Sequence, residues 1–351
     1  MPELIVTSFN RNFTGVSATA AGVIRVQQGQ YDLRLSDVPL PSCPAPISRA
    51  EARHLSRSPA PGRPFTIWHV RRNSEMRAAL WARDVLRLPI RIVFTSAAQR
   101  RHSALPRWLI SRMDAVIATT QAAAAHVPHV RAVIPHGVDC ARFAPAINRA
   151  AAWEASGYPG TRGIATIGRI RPEKGTDRFV AAMLRLLPDH PGTTALVIGR
   201  AGSSHRGFLD RLKRQTAEAG LSDRLLFPGE IAPDALPALL RALTLVVQLP
   251  RYEGYGMTAL EAMASGVPFV ASDTGHFREF ARGDRAGCIT ADPETTLATL
   301  LRDPDRLSAM SLTARATAHA HFDVTQEAQA IGRVYEALWT RAPPDKTQAR
   351  Q

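Results

Sequence analysis

Arg251-Tyr252-Glu253-Gly254-Tyr255-Gly256-Met257-Thr258-Ala259-Leu260-Glu261-Ala262-Met263-Ala264-Ser265-Gly266 is the stretch on which the reading of this chain turns. Gly254 and Gly256 carry no side chain, so the backbone there can approach a ligand and present its N–H groups. Thr258 to Ala264 reads as a helix, whose N-terminus favours an anion. Glu253 precedes that N-terminus, and Glu261 sits within its first turns. Amides and a positive dipole suit phosphate, while carboxylates accept protons from the hydroxyls of a sugar. The combination reads as a nucleotide-sugar site.

Outward from this stretch, apolar runs suited to buried parallel strands alternate with helical patterns. In the first half they are Leu4 to Phe9, Phe65 to Val70, Ile90 to Thr95, Ala115 to Ala118 and Ala132 to Ile134. In the second half they are Gly163 to Ile167, Thr194 to Ile198, Leu225 to Phe227, Leu243 to Val247 and Val267 to Ala271. Asn12 to Ser17 reads as a turn, Ala18 to Val26 as a helix, and residues 39–64 as an irregular excursion. Two α/β domains with parallel sheets follow, with ligands beyond the carboxyl ends of the strands. Pro145, Gly157, Pro159 and Gly160 place the joint between Phe143 and Gly163. The expected domains are residues 1–150 and 151–320, followed by an amphipathic helix over 321–339 and a disordered tail over 340–351.

A chain of 351 residues, 45% hydrophobic and 21% charged, can bury two cores. Cys43, Cys140 and Cys288 show no metal-ligand spacing and cannot all pair, which suits a reducing, cytoplasmic compartment. The chain opens on neither a signal-peptide pattern nor a spanning apolar run, so any membrane contact is expected to be peripheral. Of the net charge of +14, residues 1–150 carry +12, from 20 Arg and no Lys against 8 acidic residues. A field of that sign draws nucleic acid, an anionic membrane or an acidic substrate. A nucleic-acid-binding protein is the reading from a different class. It lacks a recognisable reading motif, and at 6% aromatic the chain has few rings on which to stack bases. No P-loop and no G-x-G-x-x-G after the first strand is present, against a kinase or a dinucleotide oxidoreductase.

Four motifs in order along the chain resemble the retaining glycosyltransferases of the GT-B fold (glycosyl transferases group 1, family 4). They are Pro135-His136-Gly137-Val138-Asp139 with Arg142-Phe143, then Gly168-Arg169 through Glu173-Lys174-Gly175, then Phe227-Pro228-Gly229-Glu230, and Glu253-x7-Glu261. The resemblance implies two Rossmann-like domains facing across a cleft, the first binding acceptor and the second the nucleotide sugar. It also implies a last helix that crosses back to the first domain. Arg169 and Lys174, five apart after a strand, combine a planar fork and a point charge that would neutralise a departing diphosphate without metal. Glu261 is implied to hold the ribose hydroxyls and Glu253 those of the donor sugar. The amides of Gly254, Tyr255, Gly256, Met257 and Thr258 would hold phosphate or sugar oxygens, with Gly15 beside the diphosphate. Phe227 to Ile231 and Gly199-Arg200 would border the base. Transfer would proceed with retention by same-face attack of the acceptor hydroxyl.

The family places a histidine of the first domain near the donor sugar. His69 is the nearest candidate here, with Arg71 able to occupy the equivalent place and His102 a second possibility. Arg71 and Arg72 are the candidate acceptor-binding residues. The segment Arg100 to Arg112 mixes basic side chains with Leu105, Trp108, Leu109 and Ile110, as an interfacial helix would. Trp68 to Arg112 also resembles bacterial lipopolysaccharide-core mannosyltransferases. That likeness implies GDP-mannose as donor, no cofactor or metal, and an acidic inner-core sugar (Kdo) on a lipid A precursor as acceptor. It implies work at the cytoplasmic face of the inner membrane, with peripheral contact through the basic first domain. A transferase using UDP-glucose or another UDP-hexose for a different cell-surface glycan would share every motif.

Overall fold

The computed structural model describes residues 1–340. The chain divides into two compact units, one of residues 1–137 together with the segment from Val324, the other Val138–Asp323. The expected tail falls almost wholly on residues 341–351, outside the described residues.

In the first unit the strands are β1 (Leu4–Ser8), β2 (Leu33–Asp37), β3 (Thr66–Val70), β4 (Ile90–Ser96), β5 (Ala115–Ala118) and β6 (Val130–Val133). They form one six-stranded sheet in the order β2-β1-β3-β4-β5-β6, and all pairs are parallel. β1, β3 and β5 are buried along their whole length. Such strands read as unbroken apolar runs because helices cover both faces of the sheet. One face packs Val6, Ile24, Leu35, Val93 and Ile117, the other Ile5, Trp68, Val70, Ile92 and Val116.

The final helix, Val324–Trp339, belongs to this first unit. It lies against the helix Gly15–Gln27 and contributes Ile331, Val334, Tyr335 and Trp339 to the core. Polar ties fix its register. Gln27 Nε2 donates to Ala328 O at 3.0 Å, Trp339 Nε1 to Phe65 O at 3.0 Å, and Arg63 grips Glu336 at 2.8 and 3.0 Å.

The second unit holds β7 (Arg162–Ile167), β8 (Thr193–Ile198), β9 (Leu225–Gly229), β10 (Leu245–Gln248), β11 (Phe269–Ala271) and β12 (Gly287–Ile289). Its sheet is again parallel and six-stranded, in the order β12-β11-β10-β7-β8-β9. The order in which strands are added thus reverses about β7, the doubly wound arrangement whose crevice opens where the order turns back.

Several expectations need correction. The division falls after Gly137, not between Phe143 and Gly163. Trp153, on the helix Arg149–Ala155, is 2% exposed in the second unit's core, stacks on Tyr158 and donates to Gly160 O at 3.1 Å. The prolines and glycines read as a joint are therefore turns inside that unit. The helix after β1 begins at Gly15, not Ala18, because extended Thr14 already stands at its N-cap. The span 39–64 contains a helix, Arg49–Leu55, capped by Ser48 accepting from Glu51 N at 3.1 Å. β2 and β12 were not anticipated. The first is a half-polar edge strand, and the second has three residues.

Candidate active site

Between β7 and β10 the crossovers of the second sheet leave in opposite directions, and the candidate residues gather at the carboxyl ends of these two strands. Gln248, the last residue of β10, donates Nε2 to Ile167 O of β7 at 3.2 Å. After β7 the chain runs through Gly168-Arg169 into a short 3-10 turn, Pro172–Lys174, and the helix Thr176–Leu186. After β10 it loops to the helix Met257–Ala264. The two loops interlock. Gly175 has φ 68°, and a Cβ there would lie 1.8 Å from Leu249 O, so only glycine permits the approach. Arg251 N donates to Glu173 O at 2.9 Å, and Arg251 pairs with Asp177 at 2.7 Å.

This interlock brings Lys174 Nζ to 2.6 Å from Glu253 Oε2, while Glu253 Oε1 accepts from Gly254 N at 2.9 Å. Lys174 and Glu253 keep 25% and 18% of their side chains exposed, so both heads remain open to a ligand. Arg169 is exposed, and with Gly168, Lys174, Thr176 and Gln248 it lines a small pocket. At the head of Met257–Ala264 the N-cap is Gly256 at φ 109°, with no side-chain cap and no acidic residue in the first turn. A Cβ at Gly256 would stand 2.3 Å from the Phe277 ring. Ala259 N and Leu260 N donate to Gly256 O, which leaves the amides of Met257 and Thr258 for an anion.

Glu261, one turn on, is buried, and burial lifts its carboxyl to about 7, opposed by the charge of Arg142. No described residue donates a hydrogen bond to that carboxylate. Its acceptor capacity is unspent, as a ligand-binding carboxylate requires. The Tyr255 ring is core, stacked on His276 at 5.1 Å and edge-on to Phe280, so only its backbone faces the turn. Gly199 and Gly229 meet at the ends of β8 and β9, where Gly199 N donates to Gly229 O at 2.8 Å, and Arg200 reaches Glu230 at 3.7 Å.

The first-unit candidates separate. His69 is 0% exposed, with Nδ1 2.5 Å from the Tyr335 hydroxyl and Nε2 2.7 Å from Thr95 Oγ1. Burial, reinforced by the charge of Arg71, holds its pKa well below the usual value. Both ring nitrogens are taken, so the expected catalytic role of His69 is corrected to a packing role inside the first unit. Arg72 is also committed, bonding Glu75 at 3.0 Å, Thr14 Oγ1 at 3.2 Å and Ser17 Oγ at 2.9 Å. It ties the helix Asn73–Leu80 to the start of Gly15–Gln27 and is not free for an acceptor. Gly15 opens that helix, and a Cβ placed there meets nothing within 4 Å. His102, in the loop before the helix Ala104–Ser111, is half-buried and depressed in pKa by burial and by Arg100.

Two carboxylates escaped the sequence reading. Glu75 is 0% exposed and accepts from Thr7, Phe9, Arg71 and Arg72. Glu327 accepts from His136 Nδ1 and Gly137 N, both at 2.8 Å. The available signal for Glu75 was its place in the first turn of a helix, three residues after an arginine in an otherwise acid-poor half.

One Cys/His/Asp group among the described residues falls within metal-ligand reach, namely Cys140, His319 and Asp323, with ligand atoms inside 4.8 Å. Burial and the bond to Asp323 push the Cys140 thiol up to about 12, keeping it protonated at neutral pH. No helix among the described residues is long and apolar enough to cross a membrane.

Two parallel α/β units, one carrying cations, carboxylates and an uncapped helix N-terminus at its switch point, define a glycosyltransferase of the GT-B type. The chain belongs to the family described as glycosyl transferases group 1, whose profile matches residues 155–316. It is 42% identical over 346 residues to the lipopolysaccharide core biosynthesis mannosyltransferase LpsB of Rhizobium meliloti (strain 1021), spanning 96% of this chain and 97% of that protein. Identity is 41% to the lipopolysaccharide core biosynthesis mannosyltransferase LpcC of Rhizobium leguminosarum bv. viciae, spanning 96% of each. Among solved structures, Anabaena Alr3699/HepE in complex with UDP and glucose superposes with a TM-score of 0.80 at 16% identity, covering 96% of this chain and 100% of that one. The C-terminal domain of a group 1 family protein (LpcC) from Francisella tularensis matches 54% of this chain and all of its own, with TM-score 0.52 and 32% identity.

Proposed function

We propose that this enzyme transfers mannose, with retention, from GDP-mannose to an acidic inner-core sugar of the Kdo type on a lipid A precursor. The observation that carries the donor half is the Lys174–Glu253 pair beside the unspent Glu261 carboxylate at the second switch point. Full-length likeness to two proteins named lipopolysaccharide core mannosyltransferases supports the sugar and the acceptor.

In this reading Glu261 accepts the ribose hydroxyls, and the amides of Met257 and Thr258 receive phosphate or sugar oxygens. Arg169 and Lys174 neutralise the diphosphate as the glycosidic bond breaks. Glu253 orients Lys174 and accepts hydroxyls of the donor sugar. The acceptor hydroxyl attacks the same face that the diphosphate leaves, so charge stabilisation of the leaving group carries most of the rate. The base is read by the loops after β8 and β9.

Membrane contact at the cytoplasmic face is assigned to the basic first unit. On the helix Ala104–Ser111, Leu109 and Ile110 point inward, while Leu105 and Trp108 are 56% and 55% exposed beside Arg101, Arg107 and Arg112. The helix Asn73–Leu80 packs on it and leads to exposed Trp81 and Val85. Apolar side chains flanked by arginines suit an anionic lipid surface.

The first test is thermal stabilisation by GDP, UDP, ADP and their sugars, in EDTA and then with added magnesium. Ligand at 100 times its Kd raises stability by about 2.7 kcal/mol. Selective response to GDP and GDP-mannose in EDTA supports the reading. A UDP-selective response overturns the donor, and a response that needs magnesium overturns the assignment of Arg169 and Lys174 as the sufficient cations.

A further inference from the structure

The first sheet has a switch point of its own. In the order β2-β1-β3, the crossovers leave β1 on opposite sides, so its crevice opens at the carboxyl ends of β1 and β3. Arg71 follows β3 directly at that edge, and only 9% of it is exposed.

Every carboxylate around Arg71 is already occupied. Glu75 Oε2 accepts from Thr7 Oγ1 at 3.1 Å and Arg71 N at 2.7 Å, and its Oε1 accepts from Phe9 N at 3.2 Å and Arg72 Nη1 at 3.0 Å. Four donors saturate a carboxylate. Glu327 accepts from His136 Nδ1 and Gly137 N, and the Tyr335 hydroxyl meets His69 Nδ1. These groups lend Arg71 a favourable field without meeting its N–H groups. Arg71 Nε and Nη1 are therefore buried with no acceptor. A buried, unpaired guanidinium is costly, and such a cost is retained where a ligand completes the pairing. Nε and Nη1 lie on different edges of the guanidinium, each shared with Nη2, and a carboxylate or phosphate can bridge either edge.

We propose that Arg71 is the seat of one ligand anion in the first unit, a carboxylate of the acceptor sugar. Arg72, by contrast, is a strut. The assignment of that anion to the acceptor rests on the function proposed above, whereas the seat itself rests on Arg71 and its occupied neighbours. It replaces a broad basic surface by a single residue as the reader of acidic substrate.

The test compares the full-length protein with Arg71→Gln and Arg71→Lys, using free Kdo, Kdo carboxamide, inorganic phosphate and GDP as probes in thermal stabilisation. Wild type is expected to be stabilised by Kdo more than by its carboxamide, and Arg71→Gln to lose that difference while folding as well as wild type. In transfer assays, Arg71→Gln is expected to raise KM for a Kdo-terminated acceptor at least about tenfold, with a smaller change in kcat and no such loss for the carboxamide acceptor. Arg71→Lys should recover part of the loss. If instead the responses to phosphate and GDP, and KM for the donor, carry the change, the acceptor carboxylate is overturned as the occupant. Anion responses equal to wild type in Arg71→Gln would overturn the seat, as would equal losses on acidic and amidated acceptors with donor binding unmoved. Failure of wild type to transfer to any Kdo acceptor would sink the acceptor assignment, and the binding comparison would still decide Arg71.

Discussion

Lys174 and Glu253, 79 residues apart in the chain, meet at 2.6 Å where β7 and β10 part. The contact joins the turn after β7 to the loop after β10, so each charge sets the position of the other. Lys174→Ala is expected to lower kcat by about 10²–10³-fold, the range for losing a transition-state charge stabiliser. Glu253→Gln should fall within an order of magnitude of it, and the double variant should lose less than the sum. Because the pair is part-exposed, melting temperatures should barely move, with stability changes of about 1 kcal/mol or less. Near-normal turnover in Lys174→Ala would sink the site assignment.

Glu261 links stability to pH. Its carboxyl titrates near about 7 when folded, above the value of 4.5 for a free glutamate. The folded chain therefore holds a proton that the unfolded chain has released, and stability declines as pH rises from 4.5 to 7. Above that range the ionised, buried carboxylate costs on the order of 3 kcal/mol. Glu261→Gln should be more stable than wild type at pH 8 and lose that advantage below pH 4.5, by denaturant titration. The same variant should bind nucleotide at least about tenfold more weakly, the usual trade at a strained site. Wild-type binding at pH 7 should release up to about half a proton, read by calorimetry in buffers of different ionisation enthalpy.

For His69 the sign is opposite. Burial keeps the folded imidazole neutral well below its ordinary titration range. The unfolded chain gains a proton as pH falls below that range while the folded one does not, so stability drops on acidification. His69→Gln should cost about 1–3 kcal/mol at pH 8 through its lost hydrogen bonds, and show a shallower loss between pH 8 and 5.5. Its KM values should stay within about threefold of wild type, since no substrate reaches the ring. A collapse of kcat with intact stability would restore the catalytic assignment.

Gly256→Ala tests the uncapped helix. With φ at 109° and Phe277 2.3 Å from the added methyl, strain and overlap should together cost about 2–4 kcal/mol. Nucleotide-induced stabilisation should shrink in parallel, because the same turn aims the amides of Met257 and Thr258. Full retention of both would mean the turn relaxes freely and the amides have no ligand role.

Much of this was legible in the residues. Buried parallel strands such as Ile5, Ile67 and Ala195 run as apolar blocks, and the loop residues around Glu253 and Lys174 carry their chemistry in side-chain type. Edge elements were harder. β2 alternates polar with apolar, and β12 is too short for any period to show. The Ser48-x-x-Glu51 capping box marked a helix that the prolines around it disguised. The least legible facts are pairings. Nothing local distinguishes Arg71 from Arg72, yet one is unpaired and the other holds three partners. His69 reads as a strand-end histidine until Tyr335, 266 residues later, closes over it.

That last contact bears on how the protein is made. The strands of the first unit leave the ribosome before the second unit does, but Tyr335 and Trp339, which complete its core, emerge after it. Until they do, the face that packs Ile331, Val334 and Tyr335 lacks the final helix, while the second unit is continuous in sequence. Birth order and folding order are thus inverted: the half that is synthesised first is the half that is finished last.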